Sequence, residues 1–246
     1  MVDKSATLLF VHIPKTAGTT LRVVMERQYL GQSVFTIGHE IEEDRQRLEA
    51  MHEQEKRKLR AVFGHMAWGW HEQLAPDQPY AYITVLREPV ERVLSLWAHC
   101  QLSEHYLGAA VRGMDLTNFI TSGVTRRADN AMVRQLCGED QFINQTPYDD
   151  MIIPLGGVTQ AHLDAAKENM RSCSVVGVAE QFPQFIETMN RRYAWRVTNW
   201  RNENITRWPR MKRSDLDRKT LAVVEQATAL DRELYDLAVA LMEGQK

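Results

Sequence analysis

The residues best suited to chemistry in this chain are a lysine, a histidine and an arginine, each placed just after a short apolar run. Lys15, His65 and Arg87 each follow a different run. A lysine ammonium and an arginine guanidinium neutralise phosphate-type oxygens, and a neutral imidazole can accept a proton near pH 7. These residue types predict a site that binds a phosphate-bearing ligand and moves a proton.

Residues 15–20, Lys-Thr-Ala-Gly-Thr-Thr, predict the phosphate-binding part of that site. The apolar run at residues 8–13 is typical of a buried strand, Pro14 ends it, and helical periodicity begins at Leu21. In such a strand–turn–helix, backbone N–H groups, the helix dipole and a lysine converge on one anion, and Gly18 permits close backbone approach. The lysine precedes the glycine, so this is not a G-x-x-x-x-G-K-[ST] loop. A plain strand–turn–helix with a solvated lysine remains the alternative.

Strands and helices alternate along the chain in a way that places the three residues at one edge of a sheet. The pattern predicts strands at residues 8–13, 33–37, 60–65, 80–86 and 174–179. It predicts helices at residues 21–29, 40–58, 89–106, 159–172, 181–193 and 214–243, with one or two short helices within 115–137. This alternation indicates an α/β fold, a parallel β-sheet flanked by helices on both faces with a helical C-terminal part. Because ligands bind beyond the carboxyl ends of such strands, we expect Lys15, His65 and Arg87 to converge.

Composition predicts a single globular domain. The 246 residues are 44% hydrophobic and 25% charged, which is ordinary for such a domain. Lys and Arg number 30 against 32 Asp and Glu, so the net charge of −2 argues against a nucleic-acid-binding protein. Residues 191–219 nevertheless carry ten Lys or Arg against three Asp or Glu. This local excess fits a small polyanionic ligand, although a solvated loop would look the same.

Cysteine spacing and the lack of long apolar runs bear on the compartment. Cys100, Cys137 and Cys173 are far apart, so we expect free thiols rather than a disulfide framework or a zinc site. No apolar run approaches the roughly 18–20 residues of a transmembrane helix. The first residues lead straight into the predicted strand without the organisation of a cleavable signal. These features predict a cytoplasmic protein.

Three stretches together resemble a known enzyme family. HIPKTAGTTL at residues 12–21, FGH at 63–65 and LREPVERVLSLW at 86–97 are similar to the sulfotransferase family that includes heparan sulfate 2-O-sulfotransferase and many bacterial relatives (carbohydrate sulfotransferase family 2). Looser similarity continues in three later stretches, DNAMVRQLCG at residues 129–138, VVGVAEQF at 175–182 and DRELYDLA at 231–238. The resemblance implies one sulfotransferase domain over residues 1–246 with a P-loop NTPase-like fold. It also implies 3′-phosphoadenosine 5′-phosphosulfate as the sulfuryl donor.

The resemblance implies donor-binding roles for residues of the first and third stretches. The loop resembles the family's phosphosulfate-binding loop, which here comprises Lys15, Thr16, Ala17, Gly18, Thr19 and Thr20. Arg87 and Ser95 resemble the pair that binds the 3′-phosphate. Without the resemblance, an ion pair of Arg87 with Glu88 or Glu91 and a solvated Ser95 would be the simpler interpretations. Two arginines of the basic stretch are further candidates to bind the donor, Arg207 and Arg210.

The same resemblance implies that His65 and Lys15 are catalytic. His65 would take the proton from the acceptor hydroxyl as its oxygen attacks sulfur, and Lys15 would stabilise the leaving phosphate. The chain has eight histidines, and a histidine at a strand end is usually structural. The position of His65, ahead of the donor-binding strand at residues 80–86, therefore carries the assignment. Three nearby residues are candidates for an acceptor wall, or, for the tryptophans, for the core: Trp68, Trp70 and His71.

The reaction that the resemblance implies is in-line sulfuryl transfer to a hydroxyl, with a carbohydrate or glycolipid as the expected acceptor. Positioning and cationic neutralisation suffice for this chemistry, so no metal is expected. Two other classes stay open at this point. One is a P-loop-like kinase of a small metabolite, which the missing G-K-[ST] disfavours, and the other is a non-catalytic nucleotide-binding module. The sequence leaves the acceptor's identity and the oligomeric state open.

Overall fold

A computed structural model of the chain describes residues 6–31, 33–38, 40–102, 106–140, 151–201 and 211–244. Within these ranges the chain forms a five-stranded sheet in which every neighbouring pair of strands is parallel. The strands are β1 (Thr7–Val11), β2 (Ser33–Ile37), β3 (Leu59–Gly64), β4 (Tyr80–Leu86) and β5 (Val175–Val178). All the predicted strands are therefore confirmed, with small differences at their ends.

The central strand of the sheet is β1, and the strand order is β2-β3-β1-β4-β5. Leu8, Leu9, Phe10 and Val11 are each at most 1% exposed. Because successive residues of a strand face opposite sides, this burial means that both faces of β1 are covered by other parts of the chain. The continuous apolar run of the sequence follows from that double burial.

Helices occupy most of the rest of the described chain. Those before the middle of the chain are α1 (Gly18–Gln28), α2 (Ile41–Ala50), α3 (Glu53–Lys56), α4 (Pro89–Leu102), α5 (Tyr106–Val111) and α6 (Leu116–Thr121). Those after it are α7 (Ala131–Cys137), α8 (Gln160–Ser172), α9 (Phe182–Tyr193), α10 (Arg218–Ala227) and α11 (Ala229–Glu243). Short 3-10 turns lie at Trp70–Gln73, Arg126–Ala128, Ala179–Gln181 and Arg213–Asp215. The α/β class with a helical C-terminal part is confirmed.

The helix predicted over residues 40–58 is wrong in its length, because the chain breaks into α2 and α3. Met51 ends α2 with an extended backbone. His52 then starts α3 as its N-cap, since its Nδ1 accepts the N–H of Gln54 at 3.3 Å. The acidic-to-basic charge pattern of this stretch gave no sign of the break.

The helix predicted over residues 214–243 is also two helices, α10 and α11. They meet at Thr228, where the side chain of Asn130 supplies the cap for α11. Oδ1 of Asn130 accepts the N–H groups of Leu230 and Asp231 at 3.0 and 3.1 Å. A cap from a residue one hundred positions away satisfies the new helix start without any local sequence signal.

Two apolar clusters fix the helices that carry the site. The larger one surrounds the sheet, and the smaller one packs α4 against α6 and α10 through side chains such as Leu94, Phe119 and Val224. Because α4 begins just after β4, this second cluster sets the direction in which α4 leaves the edge of the sheet. The three cysteines are buried and free, as expected. Among the described residues, no helix has the length and apolar character needed to cross a membrane.

Candidate functional site

The carboxyl ends of three neighbouring strands bring the predicted residues to one edge. In the sheet register, Val11 of β1 lies opposite Gly64 of β3 and Thr84 of β4. Adjacent strands are about 4.8 Å apart, so the segments that follow these strands lie close together. Lys15, His65 and Arg87 belong to those segments. The expected convergence at the edge is confirmed by this topology.

The loop between β1 and α1 has an unusual backbone. Lys15 and Ala17 both lie in the left-handed region, with φ of 72° and 69°. Non-glycine residues rarely adopt this conformation, and the strain is of order 1–3 kcal/mol each, which proteins hold mainly at binding sites and switch regions. The hydroxyl of Thr16 is buried and donates to the carbonyl of Ile13 at 2.9 Å, which braces the turn. Left-handed residues in a turn of this kind direct successive N–H groups into a concavity that suits an anion.

Gly18, the first residue of α1, is required by a neighbouring ring. A Cβ atom at this position would lie 1.8 Å from Cδ2 and 1.9 Å from Nε2 of His12. Non-bonded atoms do not approach each other this closely, so only glycine leaves room for the imidazole of His12. Close approach of the backbone to a ligand, which the sequence predicts for Gly18, stays a prediction, and the structure adds a packing role toward His12.

His12 and His65 form a stacked pair beside the loop. Their ring centroids are 4.2 Å apart with an interplanar angle of 29°. Nδ1 of His65 lies 2.9 Å from the carbonyl oxygen of His12. A carbonyl can only accept, so this contact places the proton on Nδ1 and gives Nε2 of a neutral His65 the lone pair. Nε2 is therefore the nitrogen that can take a proton from a substrate.

The electrostatic setting of His12 keeps that ring uncharged. Burial lowers its pKa well below the usual range, and His65, Arg22 and Lys15 lower it further. A neutral His12 can pack against His65 without repelling it when His65 becomes charged. Among the described residues, no three His, Cys, Asp or Glu side chains are grouped as a metal site requires.

Arg87 is tied to the loop. Its Nη1 donates to the carbonyl oxygen of Lys15 at 3.2 Å, and its Nη2 lies 4.0 Å from a carboxylate oxygen of Glu91. The alternative partner, Glu88, instead pairs with Arg213 and Arg232. The guanidinium of Arg87 is therefore held beside the phosphate-type loop by a backbone contact.

Two residues of α4 continue the site away from the sheet. Ser95 is half-buried, eight residues after Arg87. His99 lies one turn further on, and its pKa is lowered by burial, then by the charges of Lys15 and Arg127. Lys15 and Arg127 therefore lie near enough to His99 to disfavour its charged form. Sequence reasoning passed over His99, which is an exposed position of the helix.

The basic stretch flanks the same edge. Trp200 packs edge-on against Phe182 with centroids 4.8 Å apart, just beyond β5. The N–H of Arg213 donates to a carboxylate oxygen of Glu91 in the first turn of α4 at 3.1 Å. Both flanks therefore lie near the carboxyl edge. The two candidates within the stretch, Arg207 and Arg210, lie outside the described residues.

The three acceptor-wall candidates lie in different surroundings. Trp68 is half-buried and stacks on Tyr82 with centroids 3.8 Å apart. Trp70 is 4% exposed and belongs to the main core, which is the alternative that the sequence left open. This burial removes Trp70 from an acceptor wall.

His71 packs against the beginning of β4, and its role in an acceptor wall stays a prediction. Its Nδ1 lies 3.1 Å from the hydroxyl oxygen of Tyr82, and its ring stacks on Tyr80 at 4.6 Å. Tyr80 begins β4, six residues before Leu86, which corresponds to about 20 Å along a strand. His71 therefore packs against the first half of β4, before the carboxyl end of that strand.

Comparison of the sequence with known proteins identifies the family to which the chain belongs. A sequence model described as "Sulfotransferase family" matches residues 1–236. The chain is 27% identical over 191 residues to heparan-sulfate 6-O-sulfotransferase 2 of Gallus gallus, a match that covers 68% of this chain and 45% of the relative. It is 27% identical over 195 residues to heparan-sulfate 6-O-sulfotransferase 1 of Homo sapiens, covering 69% and 45%. A Danio rerio relative, heparan-sulfate 6-O-sulfotransferase 1-A, is 25% identical over 277 residues, covering 94% and 63%. The chain thus spans less than half the length of the first two relatives.

Proposed function

The chain belongs to the sulfotransferase family, and from this membership we propose that it transfers a sulfuryl group from 3′-phosphoadenosine 5′-phosphosulfate to a hydroxyl of a carbohydrate or glycolipid. The observation that carries the proposal is the convergence of Lys15, His65 and Arg87 on one edge of the sheet, beside a loop with two left-handed residues. The relatives are named as heparan-sulfate 6-O-sulfotransferases, which favours a sugar hydroxyl as the acceptor.

The donor's phosphates meet the groups that suit them. The loop of residues 15–20 includes the start of α1, where backbone N–H groups and the positive end of the helix dipole suit an anion. The guanidinium of Arg87 and the hydroxyl of Ser95 suit a terminal 3′-phosphate, because a planar fork can bind two of its oxygens. The hydrogen bond from Arg87 to the carbonyl of Lys15 couples the two phosphate sites.

The chemical step is an in-line displacement at sulfur. Nε2 of His65 takes the proton of the acceptor hydroxyl, and that oxygen forms a bond to sulfur. The bond between sulfur and the bridging oxygen breaks, and adenosine 3′,5′-bisphosphate leaves. Lys15 neutralises the charge that develops on the leaving phosphate. A positioned base contributes about 10²–10⁴ in rate, and loss of one charge-stabilising donor costs about 10²–10³.

The tautomer of His65 supports its role as the base. Because Nδ1 donates to the carbonyl of His12, the lone pair of the neutral ring is on Nε2 at the start of the reaction. The same hydrogen bond can stabilise the imidazolium that forms after proton transfer. Trp68, three residues after His65 and half-buried, is the candidate to pack against the sugar.

A binding experiment tests the donor and separates the alternatives. Ligand at one hundred times its dissociation constant stabilises a protein by about 2.7 kcal/mol, which corresponds to roughly 5–11 °C in melting temperature for a chain of this size. We expect this shift with adenosine 3′,5′-bisphosphate and no comparable shift with magnesium–ATP. A shift with magnesium–ATP alone would support a kinase, and no shift with either compound would overturn the proposal.

A transfer experiment then tests the chemistry. The wild-type protein, His65→Ala and Lys15→Ala are given the donor with a panel of polysaccharides, and sulfate incorporation is measured. We expect wild-type incorporation to fall by at least about a hundredfold in each variant. If the wild type binds the donor and sulfates no hydroxyl acceptor, the chain acts as a binding module. If His65→Ala retains full activity, the assigned base is wrong.

A further inference from the structure

We propose that Gln135 is a positioning residue for His65, holding in place the two peptide groups on which the orientation of the histidine depends. This inference rests on the proposed function, since it gives His65 the role of base. Sequence reasoning passed over Gln135, which lies within the DNAMVRQLCG stretch at the middle of α7.

The amide of Gln135 makes two hydrogen bonds in the interior. The residue is 0% exposed, and its Nε2 donates to the carbonyl oxygens of His12 at 3.3 Å and Met66 at 3.2 Å. Both partners can only accept, so the NH₂ group must point toward them and the orientation of the amide is determined.

Both carbonyls are linked to His65, one by a hydrogen bond and the other through the chain. The carbonyl of His12 is also the acceptor for Nδ1 of His65, at 2.9 Å. Met66 is the residue that follows His65 in the chain. The side-chain amide of Gln135 thus donates to two peptide carbonyls. The carbonyl of His12 also accepts the hydrogen bond from the His65 ring, and the carbonyl of Met66 belongs to the residue after His65. The backbone carbonyl of Gln135 adds a third link, because it accepts the N–H of Trp68 at 2.8 Å.

The oxygen of the side-chain amide indicates that Gln135 does more than stabilise the fold. Its Oε1 is buried and has no hydrogen-bond partner among the described residues. A buried carbonyl oxygen without a partner is costly, and methionine would fill nearly the same volume without one. A buried polar atom without a partner in a native protein calls for an explanation, and a role in catalysis is one of them. Here the donor end of the amide is what fixes His65.

The experiment compares Gln135→Met with a matched control, Asn169→Leu. Nδ2 of Asn169 donates to the carbonyls of Leu136 at 2.8 Å and Cys137 at 3.3 Å, so the control also removes two amide-to-carbonyl bonds involving α7. The control bonds involve the last two residues of α7, and neither carbonyl belongs to His12 or Met66. We expect Gln135→Met to lower kcat 10- to 100-fold with the donor KM within twofold, since sub-ångström misplacement of a base slows the chemical step. Asn169→Leu should keep kcat within twofold at a similar loss of melting temperature.

A spectroscopic measurement makes the inference independent of activity. Long-range ¹H–¹⁵N spectra distinguish the two neutral tautomers of histidine, and the His65 signals are assigned by their absence in His65→Asn. We expect the Nδ1–H tautomer in the wild type and in Asn169→Leu, and a mixture in Gln135→Met. An unchanged tautomer together with unchanged kcat in Gln135→Met would overturn the inference. A wild type that shows the expected tautomer and sulfates nothing would overturn the proposed function but not the role of Gln135 in positioning His65.

Discussion

Replacing Gly18 with alanine tests the packing between the loop and the two histidines. Helix propensity alone predicts that alanine stabilises α1, by up to about 1 kcal/mol. The structure predicts the opposite sign. The new Cβ would meet the His12 ring at 1.8 Å, and that ring is held by stacking on Phe10 at 5.5 Å and on His65 at 4.2 Å.

The size of the effect follows from overpacking. Inserting a methyl group into a well-packed site costs about 1–3 kcal/mol, because side chains leave their preferred rotamers or the backbone shifts. For a chain of this length, that corresponds to a melting temperature lower by about 2–12 °C. Relief of the clash would displace His12, and the His65 ring would lose its stacking partner. Sulfuryl transfer should therefore fall together with stability.

The assay is a double-mutant cycle on the free energy of unfolding, measured by denaturant titration. Removing the ring first, with His12→Ala, should make the added methyl group harmless. We expect a coupling energy of about 1–3 kcal/mol between the two substitutions, as for residues in direct contact. Gly38→Ala is the control, because its Cβ would meet nothing closer than Oδ2 of Asp44 at 3.5 Å, and it should stay within about 0.5 kcal/mol of the wild type.

Two results would refute this reasoning. One is a Gly18→Ala protein at least as stable as the wild type, which would mean that the ring moves aside freely. The other is an equal penalty with and without the His12 ring, which would place the cost in the backbone of α1 rather than in the contact.

Three further predictions concern buried charge and donor binding. Arg134→Met should lower the free energy of unfolding by about 3–5 kcal/mol, because it leaves two buried carboxylates without their cation; a loss under about 1 kcal/mol by denaturant titration would contradict this. Burial raises the pKa of the Asp231 carboxyl to about 6, so between about pH 4 and pH 6 the folded protein keeps a proton that the unfolded chain has lost. The stability that this group contributes is full below about pH 4 and is lost as pH rises through 6. Across that window the free energy of unfolding of the wild type should fall by about 2–3 kcal/mol relative to Asp231→Asn. Parallel pH profiles of the two unfolding free energies would contradict this. Arg87→Lys keeps the charge but not the planar fork, so calorimetry should show adenosine 3′,5′-bisphosphate bound about tenfold more weakly and AMP unchanged, whereas equal weakening would argue against a 3′-phosphate site.

The sheet and its functional edge could be predicted from the sequence. Strands buried on both faces require continuous apolar runs, and the run ending before Pro14 is such a case. The polar residues that follow three of these runs share an edge because parallel strands align their carboxyl ends. The convergence of Lys15, His65 and Arg87 therefore followed from order along the chain alone.

The path of the segment after His65 could not be predicted. Its aromatic residues looked like a wall around the acceptor, yet the segment runs back along the sheet toward the start of β4. Tyr82 fixes that path, since its hydroxyl accepts the N–H groups of Gly69 and His71 at 3.2 and 3.1 Å. A hydrogen bond to a distant side chain leaves no periodic signal, so the sequence did not indicate that His71 packs against Tyr82.

Tertiary contacts also give Gly18 and Gln135 surroundings that the local sequence did not predict. A glycine in a phosphate-type loop suggests backbone approach to a ligand, whereas the nearest atoms here belong to the His12 ring. A glutamine in a short helix suggests a solvated position, whereas this one is fully buried. Donor binding by Ser95 and the cytoplasmic location stay predictions.

Transfer of ³⁵S from labelled donor to a polysaccharide acceptor tests the central claim most directly. The comparison is between the wild type and His65→Ala, after both are shown to bind adenosine 3′,5′-bisphosphate equally. We predict incorporation of label into the acceptor by the wild type and at least about a hundredfold less by the variant. Equal incorporation by the two proteins, or none by a wild type that binds the donor, would contradict the account.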